Sequence, residues 1–251
     1  MSDTTISLIV FAFIFGGALC GIFLNAALPQ HHRGAESKDI VKLGMGLVGT
    51  MAALVLGLLV ASAKGSYDAQ RSELIQMSAN IALLDRVLAH YGPETKEARD
   101  LLRGSVVRAL DQMWSKDSTS ASPMAPPSAG GEILYDKLQR LSPKNDTQRA
   151  LQGQASSIAM DLGKTRWLMF EQSTILVSMP LLIVLVLWLT VIFISFGLFA
   201  PLNATVVASL FVSALSVSGA IFLILEMYDP YGGLIQISSA PLRAALAQLG
   251  Q

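Results

Sequence analysis

Three groups of residues have types and spacings that could do chemistry. Gly44-x-Gly46-x-x-Gly49, with Asp68 about twenty residues on, has the spacing of a dinucleotide fingerprint. In that motif backbone amides cradle a pyrophosphate and the acid holds a ribose hydroxyl. His31-His32 beside Arg33 could hold a metal or a phosphate, and Glu226 with Asp229 could hold a cation.

Each group depends on the element that would have to present it. The fingerprint needs a strand before it and a helix N-terminus behind it. Here "HHRGAESKDIVK" precedes it with no strand pattern, and an apolar run follows in place of a βαβ unit. Asp68 lies beyond that run, so the fingerprint reads as a coincidence of glycines. Adjacent histidines in a short charged loop read as solvated, and His90 has no partner at metal-ligand spacing. Glu226 and Asp229 read as a helix end returning to water. Cys20 is the only cysteine, which excludes an intramolecular disulfide and a thiolate metal site. No Ser/His/Asp set, paired metal ligands or phosphate loop supports an enzyme, and no cofactor is expected.

The elements themselves are membrane helices. Only 14% of the 251 residues are charged and the mean hydropathy is +0.52. The apolar residues are clumped into uncharged runs long enough to cross a bilayer. Ile6–Leu28 is one run, and Leu43–Ala63, between Lys42 and Lys64, is a second. The uncharged stretch from Gln172 to Leu225 is too long for one span. It divides at Phe199-Ala200-Pro201-Leu202-Asn203, where proline lacks a donor and Asn favours a turn. That places a third span near Thr174–Phe199 and a fourth near Asn203–Leu225. With no Lys or Arg before it, Ile6–Leu28 reads as a retained span, not a cleavable leader. The expected fold class is an all-α membrane protein of four transmembrane helices, with a helical soluble insertion between the second and third. The zero net charge leaves no nucleic-acid footprint.

The insertion, residues 65–171, holds 13 basic and 13 acidic residues. Leu74, Met77, Ile81, Leu84, Leu88 and Tyr91 step by threes and fours, the mark of a helix face that meets a partner. Packing within the chain is the plainer reading of that stripe, and packing against other copies the sharper one. The helix should stop at Gly92-Pro93, where glycine suits a left-handed cap and proline opens a new turn. A second helix is expected from Glu94 to Trp114, with Leu102, Val106, Leu110 and Met113 on one face. Ser115–Gly131, rich in Ser, Pro, Ala and Gly, reads as a flexible loop. Another helix should start after Ser142-Pro143 and carry Leu151, Ala155, Ile158 and Leu162. With no breaker noted before the third span, it is expected to run on into the membrane. Residues 227–251 are expected to form a C-terminal tail.

On a helix the glycines of the second span have a use. Gly46, Thr50, Ala53, Gly57, Val60 and Lys64 trace a small-residue stripe beside a bulky one of Leu47, Met51, Leu54 and Leu58. Small residues let helices approach closely in lipid, where packing replaces the hydrophobic drive. One reading is ordinary helix packing, with Gly46, Ala53 and Gly57 as contact points. The other is a helix packed on one side that offers an apolar constriction to a pore on the other. Thr205, Ser209, Ser213 and Ser216 repeat the small pattern on the fourth span, with Ser209 and Ser213 as packing residues. No Asp, Glu, Lys or His lies mid-span, which disfavours a proton-coupled carrier.

"VLGLLV" (Val55–Val60), followed by Tyr67 and Gln70, resembles the pore-lining second helix of bestrophins. Asp229-Pro230-Tyr231-Gly232 is similar to the Asn-Pro-Phe-Gly turn after the last bestrophin membrane helix. The chain as a whole resembles a bacterial bestrophin-like group through "GLVGTMAALVLGLLVASAKGSYD" and "DPYGGLIQISSAPLRAAL". The resemblance implies a homo-oligomer, a pentamer, passing a small anion such as chloride through a neck of three residues one helical turn apart. Carried onto this chain without gaps, the neck is Thr50, Leu54 and Leu58, and the C-terminal turn is Asp229, Pro230 and Gly232. Leucines 54 and 58 stand where bestrophins carry phenylalanine. No acidic run follows Gly232, so a calcium clasp has no counterpart.

The resemblance also implies a multi-pass protein of the bacterial inner membrane, with the insertion and both termini cytoplasmic. Basic residues close to span ends point the same way, counting only short loops and tails points the reverse, and the resemblance breaks the tie. Lys64, Arg71, Lys164, Arg166 and Arg243 lie on the insertion side, against Arg33, Lys38 and Lys42. The rival reading is a non-conducting scaffold whose stripe from Leu74 to Tyr91 binds a partner.

Overall fold

The computed structural model describes residues 2–27, 35–114, 130–173, 178–201 and 203–250. Among them the chain forms eight α-helices: α1 (Asp3–Ala27), α2 (Ala35–Tyr91), α3 (Lys96–Met113), α4 (Gly130–Gln139), α5 (Asp146–Ser173), α6 (Met179–Phe199), α7 (Ala204–Tyr228) and α8 (Ala240–Gln248). They fall into two units. One comprises residues 1–65 and 176–228, the other residues 66–175 and 229–251. The loop residues 31–33, with the two histidines, and residues 115–129 of the Ser/Pro-rich stretch lie outside the described residues. Gly130 and Gly131, grouped with that stretch by composition, open α4.

The first unit contains the apolar helices. α1, α6, α7 and part of α2 are long and apolar enough to cross a membrane. α2 is 57 residues long, far more than the roughly 20 a bilayer requires, because nothing between Lys64 and Tyr91 breaks it. Val10, Ile14, Ala18 and Ile22 of α1 pack with Phe193 of α6 and with Leu210, Ala214 and Ile221 of α7. Phe11, Phe15 and Phe211 meet as two edge-to-face pairs and one stacked pair at 5.3–5.7 Å. Asn25 Nδ2 donates to the Ala200 carbonyl at 3.0 Å, tying the end of α1 to the turn after α6. The Ser62 and Tyr228 hydroxyls share a hydrogen bond at 3.0 Å between α2 and α7.

The second unit is a helical bundle. Leu74, Met77, Ile81, Leu84 and Leu88 are buried in one core with Leu102, Val106, Leu138, Ile158, Met169 and Leu242, and Tyr91 is buried at the end of the stripe. Each fully buried leucine contributes about 1.5–3 kcal/mol relative to exposure. The stripe that a scaffold would have offered to a partner is therefore consumed by the bundle's own core. α2 stops as expected. Gly92 takes φ 133°, a left-handed conformation that suits glycine, and Pro93–Thr95 form a short 3-10 turn. The Thr95 hydroxyl reaches the Leu88 carbonyl at 2.6 Å, and Gln148 Nε2 donates to the Tyr91 carbonyl at 2.9 Å. Buried Asp85 accepts both arms of Arg99 at 2.7 and 2.8 Å and also the Gly250 amide at 3.3 Å.

Three features depart from the sequence expectations. α5 starts at Asp146, three residues later than a Ser142 cap with Pro143 at the first helical position would give. The Asn145 side chain accepts the Gln148 amide at 2.8 Å and so caps the helix three residues later. α5 does not run on through the third span either. Ser178 has ψ 87°, and α6 begins at Met179 with Pro180 in its first turn. Pro180 lacks the amide that would have continued the earlier helix. Finally, the residues after Asp229 form more than a tail. α8 buries Leu242 and Ala245 in the bundle core, and Trp114 Nε1 donates to the Ile237 carbonyl at 2.9 Å.

Candidate functional site

The candidate site is the face of α2 that its own chain leaves uncovered. Ala52, Leu59 and Ala63 are buried against Leu185 and Ile192 of α6 and Ile224 of α7. At about 100° per residue, Leu54 and Thr50 lie roughly 160° from that buried face and Leu58 roughly 120°. Leu54 is 75% exposed and Leu58 60%, and Thr50 is exposed with them. Ile40, Leu43, Leu47 and Met51 extend the same apolar surface toward the start of the helix. Only 11% of the most apolar window of α2 is buried, against 33%, 33% and 28% in α1, α6 and α7. α2 is thus the membrane helix least covered by its own protomer.

The polarity of this face is low even at Thr50. Its hydroxyl donates to the Leu47 carbonyl at 2.7 Å, one turn back, so its strongest donor is turned onto the helix. α7 treats its serines the same way: Ser216 donates to Val212 and Ser218 to Ala214, each at 2.8 Å. Ser209 and Ser213 are exposed on α7.

The small-residue stripe of α2 lies to one side of the bulky face. A Cβ placed on Gly46 or Gly57 would meet nothing within 4 Å, and Ala53 is exposed. Within one protomer, close helix approach occurs elsewhere. A Cβ on Gly21 would overlap the Ile194 carbonyl, and one on Gly197 would overlap the Ala18 carbonyl. A Cβ on Gly17 would stand 3.0 Å from the Thr190 methyl. α1 and α6 touch backbone to backbone through these glycines. The signal for this contact was present in the sequence as Gly17-x-x-x-Gly21, and reading the second span for glycines passed over it.

The C-terminal turn is built by Asp229. Its side chain accepts the Gly232 amide at 3.2 Å, and its carbonyl accepts Gly232 and Gly233 at 3.4 Å. A Cβ on Gly232 would collide with the Asp229 carboxylate. Pro230 is buried, its carbonyl accepting the Ile237 amide at 2.8 Å. Tyr231 packs edge-on to Trp114 with ring centres 5.7 Å apart. Burial raises the Tyr231 phenol well above its ordinary pKa, so it stays protonated. Glu226, placed by sequence at a helix end meeting water, is buried within the last turn of α7. His90 is exposed in the last turn of α2. Among the described residues, no group of three or more His, Cys, Asp or Glu could hold a metal ion.

No curated protein and no solved structure matches this chain. A family model described as Bestrophin-like domain matches residues 12–242, from the first apolar helix through the turn into α8. With four helices able to cross a membrane, the chain is a membrane protein that belongs to the Bestrophin-like family.

Proposed function

We infer that the protein is a homo-oligomeric ion channel that conducts passively, with α2 of each copy around the axis and Thr50, Leu54 and Leu58 at the neck. The observation that carries this reading is the uncovered face of α2. It is apolar and turned directly away from the helices that hold α2 in its own unit. A ring of such faces makes a narrow passage whose water is weakly held, which is how apolar constrictions gate. The open side of Gly46, Ala53 and Gly57 gives a neighbouring copy room to approach beside that face. Family membership supports a pentamer and a small anion, such as chloride, as the permeant species. It also supports a bacterial inner-membrane location with the helical bundle and both termini cytoplasmic.

The test is ion flux from liposomes holding the purified protein, with chloride and potassium gradients imposed separately. Flux of one ion that rises in Leu54→Ala is the expected result. An unchanged rate in folded, inserted Leu54→Ala would remove Leu54 from the neck. Absence of flux for both ions from inserted wild-type protein would count against a pore open without a stimulus.

A further inference from the structure

The helical bundle has a half-open pocket of about 180 Å³ between α2, α3, α4, α5 and α8, with Arg108, Gln112, Gly131 and Gly163 exposed at its mouth. Met77, Ile81, Val106, Leu134, Leu162 and Leu242 form its apolar wall. Arg166 of α5 and Gln112 of α3 supply its polar end, joined by one long hydrogen bond of 3.3 Å. Arg108 also borders the space and donates to Ser105 at 3.1 Å. Among the described residues no carboxylate comes within ion-pair distance of either arginine. The half-buried Arg166 guanidinium has lost much of its water, which lowers its pKa below the ordinary range. A desolvated cation beside an apolar pocket favours a ligand bringing both a negative charge and an apolar body.

We propose that this pocket is a binding site for a small carboxylate with an apolar body about the size of a benzene ring, its carboxylate set on Arg166. Size limits the body, since an apolar cavity of roughly 150 Å³ holds one benzene molecule. Charge and geometry choose the head group: a planar guanidinium takes a carboxylate through two parallel hydrogen bonds. This inference is independent of the channel reading, since it concerns the bundle alone.

The experiment is calorimetric titration of the purified full-length protein with benzoate and with benzamide, its uncharged isostere. Benzoate binds and benzamide binds at least about tenfold more weakly, the value of one charge-assisted contact. Arg166→Gln weakens benzoate by about ten- to a hundredfold and brings the two ligands level. Gly163→Leu is the second variant. Gly163 lines the pocket and a Cβ there meets nothing within 4 Å, so the fold tolerates a leucine that crowds the pocket mouth. It abolishes benzoate binding with Arg166 intact. Equal affinity for the two ligands, benzoate binding that survives Gly163→Leu, or no binding to wild type would each overturn the site.

Discussion

Two sets of small residues in the membrane unit meet opposite fates. Gly17, Gly21 and Gly197 lie where α1 and α6 touch, and a single added carbon at Gly21 or Gly197 would strike backbone. Gly46 and Gly57 of α2 have the same chemistry, yet their side faces open space. Composition does not separate the two sets, because what a glycine does in lipid depends on whether a second helix arrives at its surface. The α1–α6 glycines serve the protomer. Those of α2 face open space, which is the geometric basis for the proposal that another copy packs there.

The largest effect is expected from Gly21→Leu or Gly197→Leu. Neither overlap can be relieved by turning a side chain, so destabilisation of about 3 kcal/mol or more is expected. The readout is the unfolding midpoint, or the yield of folded protomer in detergent. A normal midpoint would mean that α1 and α6 do not approach as described.

Gly57→Leu should do the reverse. The protomer keeps its stability to within about 1 kcal/mol, since the leucine meets nothing in its own chain and replaces a poor helix former. Its effect should fall on assembly, lowering the oligomer fraction measured by light scattering of the detergent-solubilised protein. If Gly57→Leu assembles and conducts as wild type does, the stripe is not a subunit contact.

Leu54→Ala comes next. Its stability change should stay within about 0.5 kcal/mol, because the side chain is three-quarters exposed in the protomer. Under the proposed channel function, conductance should rise because the substitution removes bulk at the proposed neck. Asn25→Ala should cost far less than Gly21→Leu, about 1 kcal/mol for the bond to the Ala200 carbonyl in thermal unfolding. A loss as large as that in Gly21→Leu would place more of the α1–α6 contact at its end than the glycines suggest.

Much of this protein was legible from its residues because lipid and helix chemistry act locally. A run of twenty uncharged apolar residues has few stable options other than spanning a bilayer as a helix. Gly92-Pro93 must interrupt a helix because one residue tolerates a left-handed turn and the other lacks a donor. The stripe from Leu74 to Tyr91 could be assigned to a buried face from its spacing alone. Local signals were missed where two competed. Asn145 outranked Ser142 as a cap, and Pro180 in the first turn of α6 is a breaker where the expectation of one continuous helix rested on there being none.

Tertiary structure decided what depends on a partner distant in the chain. It chose the α1–α6 glycines over those of α2 for close contact, and it docked α8 and Tyr231 into the bundle through Leu242, Ala245 and Trp114. It also set an arginine at the edge of an apolar pocket, which requires five helices to meet around residues up to 165 positions apart. Spacing along a chain sets which face of a helix a residue occupies. What that face meets is settled only when the other helices are in place.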